Sequence, residues 1–200
     1  MYKHWKLFLL AISMMLCYSC KPIRSVQSTT ISNNQEVFWN ELNALCGKAY
    51  AGVVINPSPI DTAFKDRALI MHVRSCNTNV VRIPFIVGNN LSRTWVLTHS
   101  SNSIQLKHDH RHEDGTEETI TQYGGSTSNL GSSTMQVFPA DQHTANILPA
   151  AAGNVWWIEL VPGKYFSYNL RRIGTDRLFT VRFDITKPVN APASPWGWKD

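Results

Sequence analysis

From Gly47 to the C-terminus the chain is a succession of short runs rich in Val, Ile, Thr, Phe, Tyr and Trp, cut by Gly, Pro, Asn and Asp. Branched and aromatic side chains suit a half-buried pleated surface, and the interrupting residues supply turns. Within the runs apolar and polar residues alternate. In 178–186 Phe179, Val181, Phe183 and Ile185 form one row, and Thr180, Arg182 and Asp184 the other; in 165–172 the apolar row is Phe166, Tyr168 and Leu170. Successive strand residues point to opposite faces, so this alternation means one dry face and one wet face. A parallel sheet covered on both sides would read as unbroken apolar runs instead. The runs expected to be strands are 49–55, 68–75, 80–87, 93–100, 103–113, 118–124, 133–139, 154–161, 165–172 and 178–186, about ten in all. Sequential hairpins of this number suit an up-and-down barrel or a sandwich. A single closed sheet filled by its own side chains accounts best for the alternation, so an antiparallel up-and-down β-barrel is the fold expected.

Ahead of the strands, QEVFWNELNALCG places Val37, Phe38, Glu41, Leu42 and Leu45 at spacings near three and four, with Gly47 as a stop, the pattern of one short amphipathic helix. Residues 21 to about 34 are polar and without apolar periodicity, as in a flexible tether. Residues 1–19 join a basic head (Lys3, Lys6) to an apolar run too short for a membrane span, the layout of a secretory signal. The organisation expected is a signal peptide over 1–19, a tether over 20–34 and a single barrel domain over 35–200.

Loss of Lys3 and Lys6 with the signal takes the formal charge from +5 to about +3, without any cluster of Lys or Arg. The electrostatic attraction that drives nucleic-acid binding is therefore lacking, and nucleic acid is not an expected partner. Of four cysteines, Cys17 leaves with the signal, and Cys20 stands at its end. Cys46 and Cys76 remain, and in an exported chain that pair reads as a disulfide.

The alternation also bears on KHDHRHEDG, residues 107–115. Over 103–113 one face carries Ile104, Leu106, His108, His110 and His112, and the other carries Gln105, Lys107, Asp109, Arg111 and Glu113. If the aliphatic pair faces inward, period two carries the three histidines inward as well; a one-residue bulge would break the inference. Histidines two apart on a strand lie about 6.5 to 7 Å apart at Cα, close enough for adjacent rings to share a metal such as zinc. A third ligand would come from a neighbouring strand, and His99 is the best placed, because Arg93, Trp95, Leu97 and His99 share a face one hairpin away. Asp114, Asp141 and His143 are further donors expected on loops. The expected ligand-binding set is His108, His110, His112, Trp95 and His99, with the four histidines also the metal set. A metal-free reading is equally open: neutral imidazoles in a barrel mouth can hydrogen-bond to polar neighbours, or the strand end can project into solvent.

Tyr123-Gly124-Gly125 and the serines to Ser133 read as a loop, and as a lid if they have a functional part. Of adjacent Trp156 and Trp157 one must face in and one out. The terminal PWGW, residues 195–198, is apolar enough to pack back on the barrel.

Several blocks carry resemblances. Leu16-Cys17-Tyr18-Ser19-Cys20 resembles the lipobox of bacterial lipoproteins, although Cys17 stands where that pattern has Leu. The resemblance implies lipidation of Cys20, attachment to a membrane and a place in the bacterial cell envelope; plain secretion is the alternative. His110-x-His112-x-Asp114 approaches the HxHxDH box of metallo-β-lactamase-type hydrolases, but Gly115 stands where the last histidine belongs. CGKAY, RIPFIVG, SRTWVLT, LKHDHRHEDGTEE, YGG, FPAD, NVWWIEL and PWGW resemble the blocks of a bacterial family of secreted or lipid-anchored proteins of undetermined function. In architecture, a short helix leading into a strand meander is similar to the calycin group of lipocalin-like barrels, a likeness of fold that implies no activity. The function expected is binding of a small ligand or a metal ion in the barrel. An enzyme using the same histidines, with Glu113 or Asp114 as general base, is the second class, and an envelope protein without ligand the third.

Overall fold

The computed structural model describes residues 33–57 and 61–198. The expected signal peptide, Cys20 and residues 20–32 of the tether lie outside the described residues. Helix α1 (Asn34–Asn43) takes the last residues of the expected tether, because Asn33 caps it by accepting from the backbone N–H of Gln35 at 2.9 Å. Eleven strands follow: β1 (Ala49–Asn56), β2 (Leu69–His72), β3 (Ser75–Cys76), β4 (Val80–Val87), β5 (Asn90–Ser100), β6 (Ser103–His110), β7 (Tyr123–Ser126), β8 (Met135–Pro139), β9 (Asn154–Val161), β10 (Tyr165–Arg172) and β11 (Leu178–Val189). A short helix α2 (Gln142–Ile147) joins β8 to β9.

The strands lie in the order β7-β6-β5-β4-β2-β1-β11-β10-β9-β8, with β3 pairing β4, and every pairing is antiparallel. Going round the sheet, each strand's neighbour is its neighbour in the chain, save where β1 meets β11 and where β2 meets β4 past the short β3. This is an up-and-down meander, and it nearly closes. At the β7–β8 seam the contact narrows to one bridge between Gly125 and Ala140 and a 2.9 Å bond from the Asp141 N–H to the Gly124 carbonyl. Gly125 permits the approach, since a Cβ there would lie 1.7 Å from the Pro139 carbonyl oxygen; Gly124 does the same on the β6 side, where a Cβ would lie 1.9 Å from the Leu106 carbonyl oxygen. The YGG stretch is therefore a strand at the seam, and the loop and lid expected there are corrected.

Period two holds round the barrel. Trp156, Ile158 and Leu160 of β9, Phe166, Tyr168 and Leu170 of β10, and Phe179, Val181, Phe183 and Ile185 of β11 are all buried. Of the tryptophan pair, Trp156 faces in, and Trp157 lies half-buried on the other face. Helix α1 plugs one end of the barrel with Phe38, Trp39 and Leu42, and its buried Gln35 donates to Thr127 at 2.8 Å. A disulfide between Cys46, just after α1, and Cys76 of β3 fastens the plug to the wall.

The differences from expectation have local causes. The run 68–75 breaks at 73–74, where Val73 bonds to Gly47 and Lys48, so two strands replace one. The second helix was not expected; α2 has six residues and no apolar stripe, and it exists because Asp141 caps it through Thr144. The strand expected over 103–113 ends at His110. From there residues 111–122 fold back, with Arg111 bridged to Glu117 and a tight turn from His112 to Thr116 that Gly115 permits at φ 88°. The C-terminal PWGW packs on the barrel as expected, with the Trp196 N–H bonded to Leu91 and the Arg74 guanidinium 5.2 Å from the Trp198 ring.

Candidate functional site

At the end away from α1 the barrel holds a cavity of about 190 Å³. Its floor is aromatic. Trp95 is stacked between Phe85 (4.7 Å) and Tyr168 (4.5 Å), while His108 stacks on Tyr123 (4.5 Å) and lies 5.2 Å from Trp156. Its rim comes from the polar residues that end the inward rows: His110 of β6, Arg93 of β5, Asn154 of β9, Arg172 of β10 and Arg177, just ahead of β11. The connection from β1 to β2 adds Asp61, ion-paired with Arg177 at 2.6 Å, and Phe64, which packs on Phe179 at 4.8 Å.

His108 is the innermost polar group, 4% exposed. Its Nδ1 lies 3.0 Å from the Tyr123 carbonyl oxygen, which can only accept, so the proton sits on Nδ1. Nε2 then accepts from the Tyr168 hydroxyl at 2.7 Å. Burial holds the His108 pKa down to about 3, so the ring is neutral at pH 7. His110 repeats the arrangement one pleat nearer the mouth. Its Nε2 lies 3.1 Å from the Tyr123 hydroxyl, and its Nδ1 lies 3.7 Å from Glu118. Burial first, and the Arg93 charge second, hold it down to about 4. Burial likewise pushes the Tyr123 phenol up to about 12, and raises that of Tyr168. These hydroxyls and imidazoles are thus uncharged at neutral pH, and the hydrogen bonds among them fix the rings that line the floor.

The other expected site residues fall elsewhere. His112 is exposed in the turn beyond β6, because the strand ends two residues earlier, and Glu113 and Asp114 are exposed beside it. Asp114 bonds to the N–H and hydroxyl of Thr116 within that turn. His99 shares the inward face with Trp95 but pairs with Ile104 at the plugged end, where it stacks on Trp39 at 5.1 Å. Six residues along β5 separate it from Arg93, which pairs with His110, so the two histidines are roughly 20 Å apart. Asp141 is taken up by Lys107 and the α2 cap, and His143 is exposed. The four-histidine set is therefore not assembled, and among the described residues no group of three or more His, Cys, Asp or Glu is placed to hold a metal.

Sequence reasoning brought Trp95, His108 and His110 to the cavity. It passed over Arg93, Arg172, Arg177, Tyr123, Tyr168 and Trp156. A signal was present for most of them: Arg172 continues the row Phe166-Tyr168-Leu170, and Arg177 extends Phe179-Val181-Phe183 backwards. Asp61 and Phe64 gave none, since they arrive from a connection without periodicity.

Comparison of the chain with protein-family models, with curated proteins and with solved structures finds no match.

Proposed function

We propose that this protein binds a small organic molecule inside its barrel and is held at the bacterial cell envelope by a lipid on Cys20. The observation that carries the binding reading is the cavity itself, an aromatic floor enclosed by the sheet with charged groups only at the mouth, the usual make-up of a ligand site. Its volume lies below the roughly 300 to 1,000 Å³ of sites for drug-sized ligands, so the ligand is of one- or two-ring size. An organic ligand suits the site better than a metal, because both ring nitrogens of His108 are already committed to Tyr123 and Tyr168. The envelope reading rests on the basic-apolar leader and the cysteine that follows Ser19.

Indole serves as the probe. Titrated into the full chain it is expected to quench the tryptophan emission to saturation and to raise the unfolding temperature. Leu170→Trp, which fills the cavity from its wall, is expected to remove both effects while leaving the β-sheet circular dichroism unchanged. Saturable binding that survives in Leu170→Trp would place the ligand elsewhere and end the cavity reading. For the anchor, metabolic labelling with a radioactive fatty acid is expected to mark the wild-type chain and not Cys20→Ala; label in both, or in neither, would overturn it.

A further inference from the structure

Resting on that binding reading, we infer that the ligand is an anion, a planar apolar body carrying a carboxylate whose charge is met by Arg93 and Arg172 at the cavity rim.

Three guanidinium groups line a cavity of about 190 Å³, against a single lining carboxylate, Asp61. Asp61 is committed to Arg177, whose Nη2 and Nε lie 2.6 and 3.4 Å from its two oxygens. Glu118, the next acid in reach of the rim, lies 3.7 Å from His110 Nδ1. Among the described residues Arg93 and Arg172 make no ion pair. Arg172 is held at its root, Nε donating to Asn154 Oδ1 at 2.9 Å, which leaves both terminal nitrogens to donate. Arg93 is held through Nη1, which donates to Asn90 Oδ1 at 2.9 Å, with its guanidinium 5.8 Å from the Phe64 ring. Both side chains are therefore pre-positioned by neutral partners, with charge unspent.

A charge placed in a partly desolvated, aromatic-walled space without a counter-ion is costly, and an incoming anion would relieve that cost. Burial and the neighbouring Arg177 hold Arg172 below the ordinary arginine range, against a smaller opposite pull from Asp61. The planar guanidinium offers two parallel N–H groups, which match a carboxylate edge. Below the rim the stacked Trp95, Tyr168 and Phe85 form an aromatic wall for the apolar part of a ligand, while the hydroxyl hydrogen of Tyr168 is spent on His108 Nε2. The gradient from charged rim to apolar floor thus selects a molecule with the same gradient.

The test is calorimetric titration of the full chain with indole-3-carboxylate, its neutral isostere indole-3-carboxamide, and acetate. The carboxylate is expected to bind about 10- to 100-fold tighter than the carboxamide, the range of one charge-assisted hydrogen bond, with acetate weaker still. Arg93→Gln combined with Arg172→Gln is expected to bring the ratio close to one, by weakening the carboxylate far more than the carboxamide. Equal affinities of carboxylate and carboxamide in the wild-type chain would overturn the anion assignment and leave the carrier standing. Acetate binding as tightly as indole-3-carboxylate would overturn the apolar body. Failure of all three to bind would overturn the carrier and this inference together. The wild-type ratio does not depend on how well the double variant folds.

Discussion

The Tyr168 hydroxyl is the only side-chain group that reaches His108 Nε2 among the described residues, and both are buried. Removing the donor strands an acceptor. Tyr168→Phe is expected to destabilise the protein by about 1 to 3 kcal/mol, the cost of an unsatisfied buried polar group, as read by urea unfolding. Protonation acts on the same pair. In the unfolded chain a histidine titrates near 6.5, whereas burial holds His108 at about 3 and His110 at about 4. The stability that comes from keeping them neutral is present in full above pH 6.5. It declines as pH falls from there toward 4, because the unfolded chain takes up protons that the fold refuses. Each histidine contributes about 1.4 kcal/mol per pH unit in that window, and His72, also lowered chiefly by burial, adds in the same direction. Urea midpoints are expected to fall between pH 7.5 and pH 5; equal midpoints would contradict the burial of the pair. The inward course of His108 and His110 was legible because one extended segment joins them to Ile104 and Leu106. That of His112 was not, because the strand ends through a turn whose Gly115 is three residues beyond the last histidine.

The seam between β7 and β8 is where the barrel depends most on a missing side chain. Gly125→Ala would set a Cβ 1.7 Å from a backbone oxygen that cannot move without shifting β8, so a loss of at least about 1 to 3 kcal/mol is expected. Chemical denaturation measures it, and an unchanged midpoint would show the seam to be looser than described. At the other end, the disulfide closes a 30-residue separation. Replacing Cys46 and Cys76 together by alanine is expected to cost about 3 to 4 kcal/mol by the chain-entropy argument, with the same loss in the wild-type chain under reductant and none further in the double variant. Strands β4, β5, β6, β9, β10 and β11 stood out in the sequence because each is eight or more residues long and shows an alternating row or a continuous apolar run. Helix α2 and strands β3 and β7 did not, since six, two and four residues give no period to read and their existence depends on caps and neighbours.

Seen entire, the described barrel has one end shut by α1 and the other open to a small cavity whose floor is aromatic and whose rim is cationic. The closed meander follows from alternation along the strands. The chemistry of the mouth follows from where each alternating row runs out: the inward positions of β5, β6, β9 and β10, and the row continued ahead of β11, end in Arg93, His110, Asn154, Arg172 and Arg177. A reading that treats the end of each row as part of the row finds the rim, whereas a search for histidine spacing alone finds a metal set that the barrel does not bring together. Native mass spectrometry of the chain released intact from bacterial envelopes tests the central claim most directly. A single small organic molecule on the wild-type protein, absent from Leu170→Trp, is the expected result. A wild-type protein with an empty barrel, or the same adduct on both chains, would contradict it.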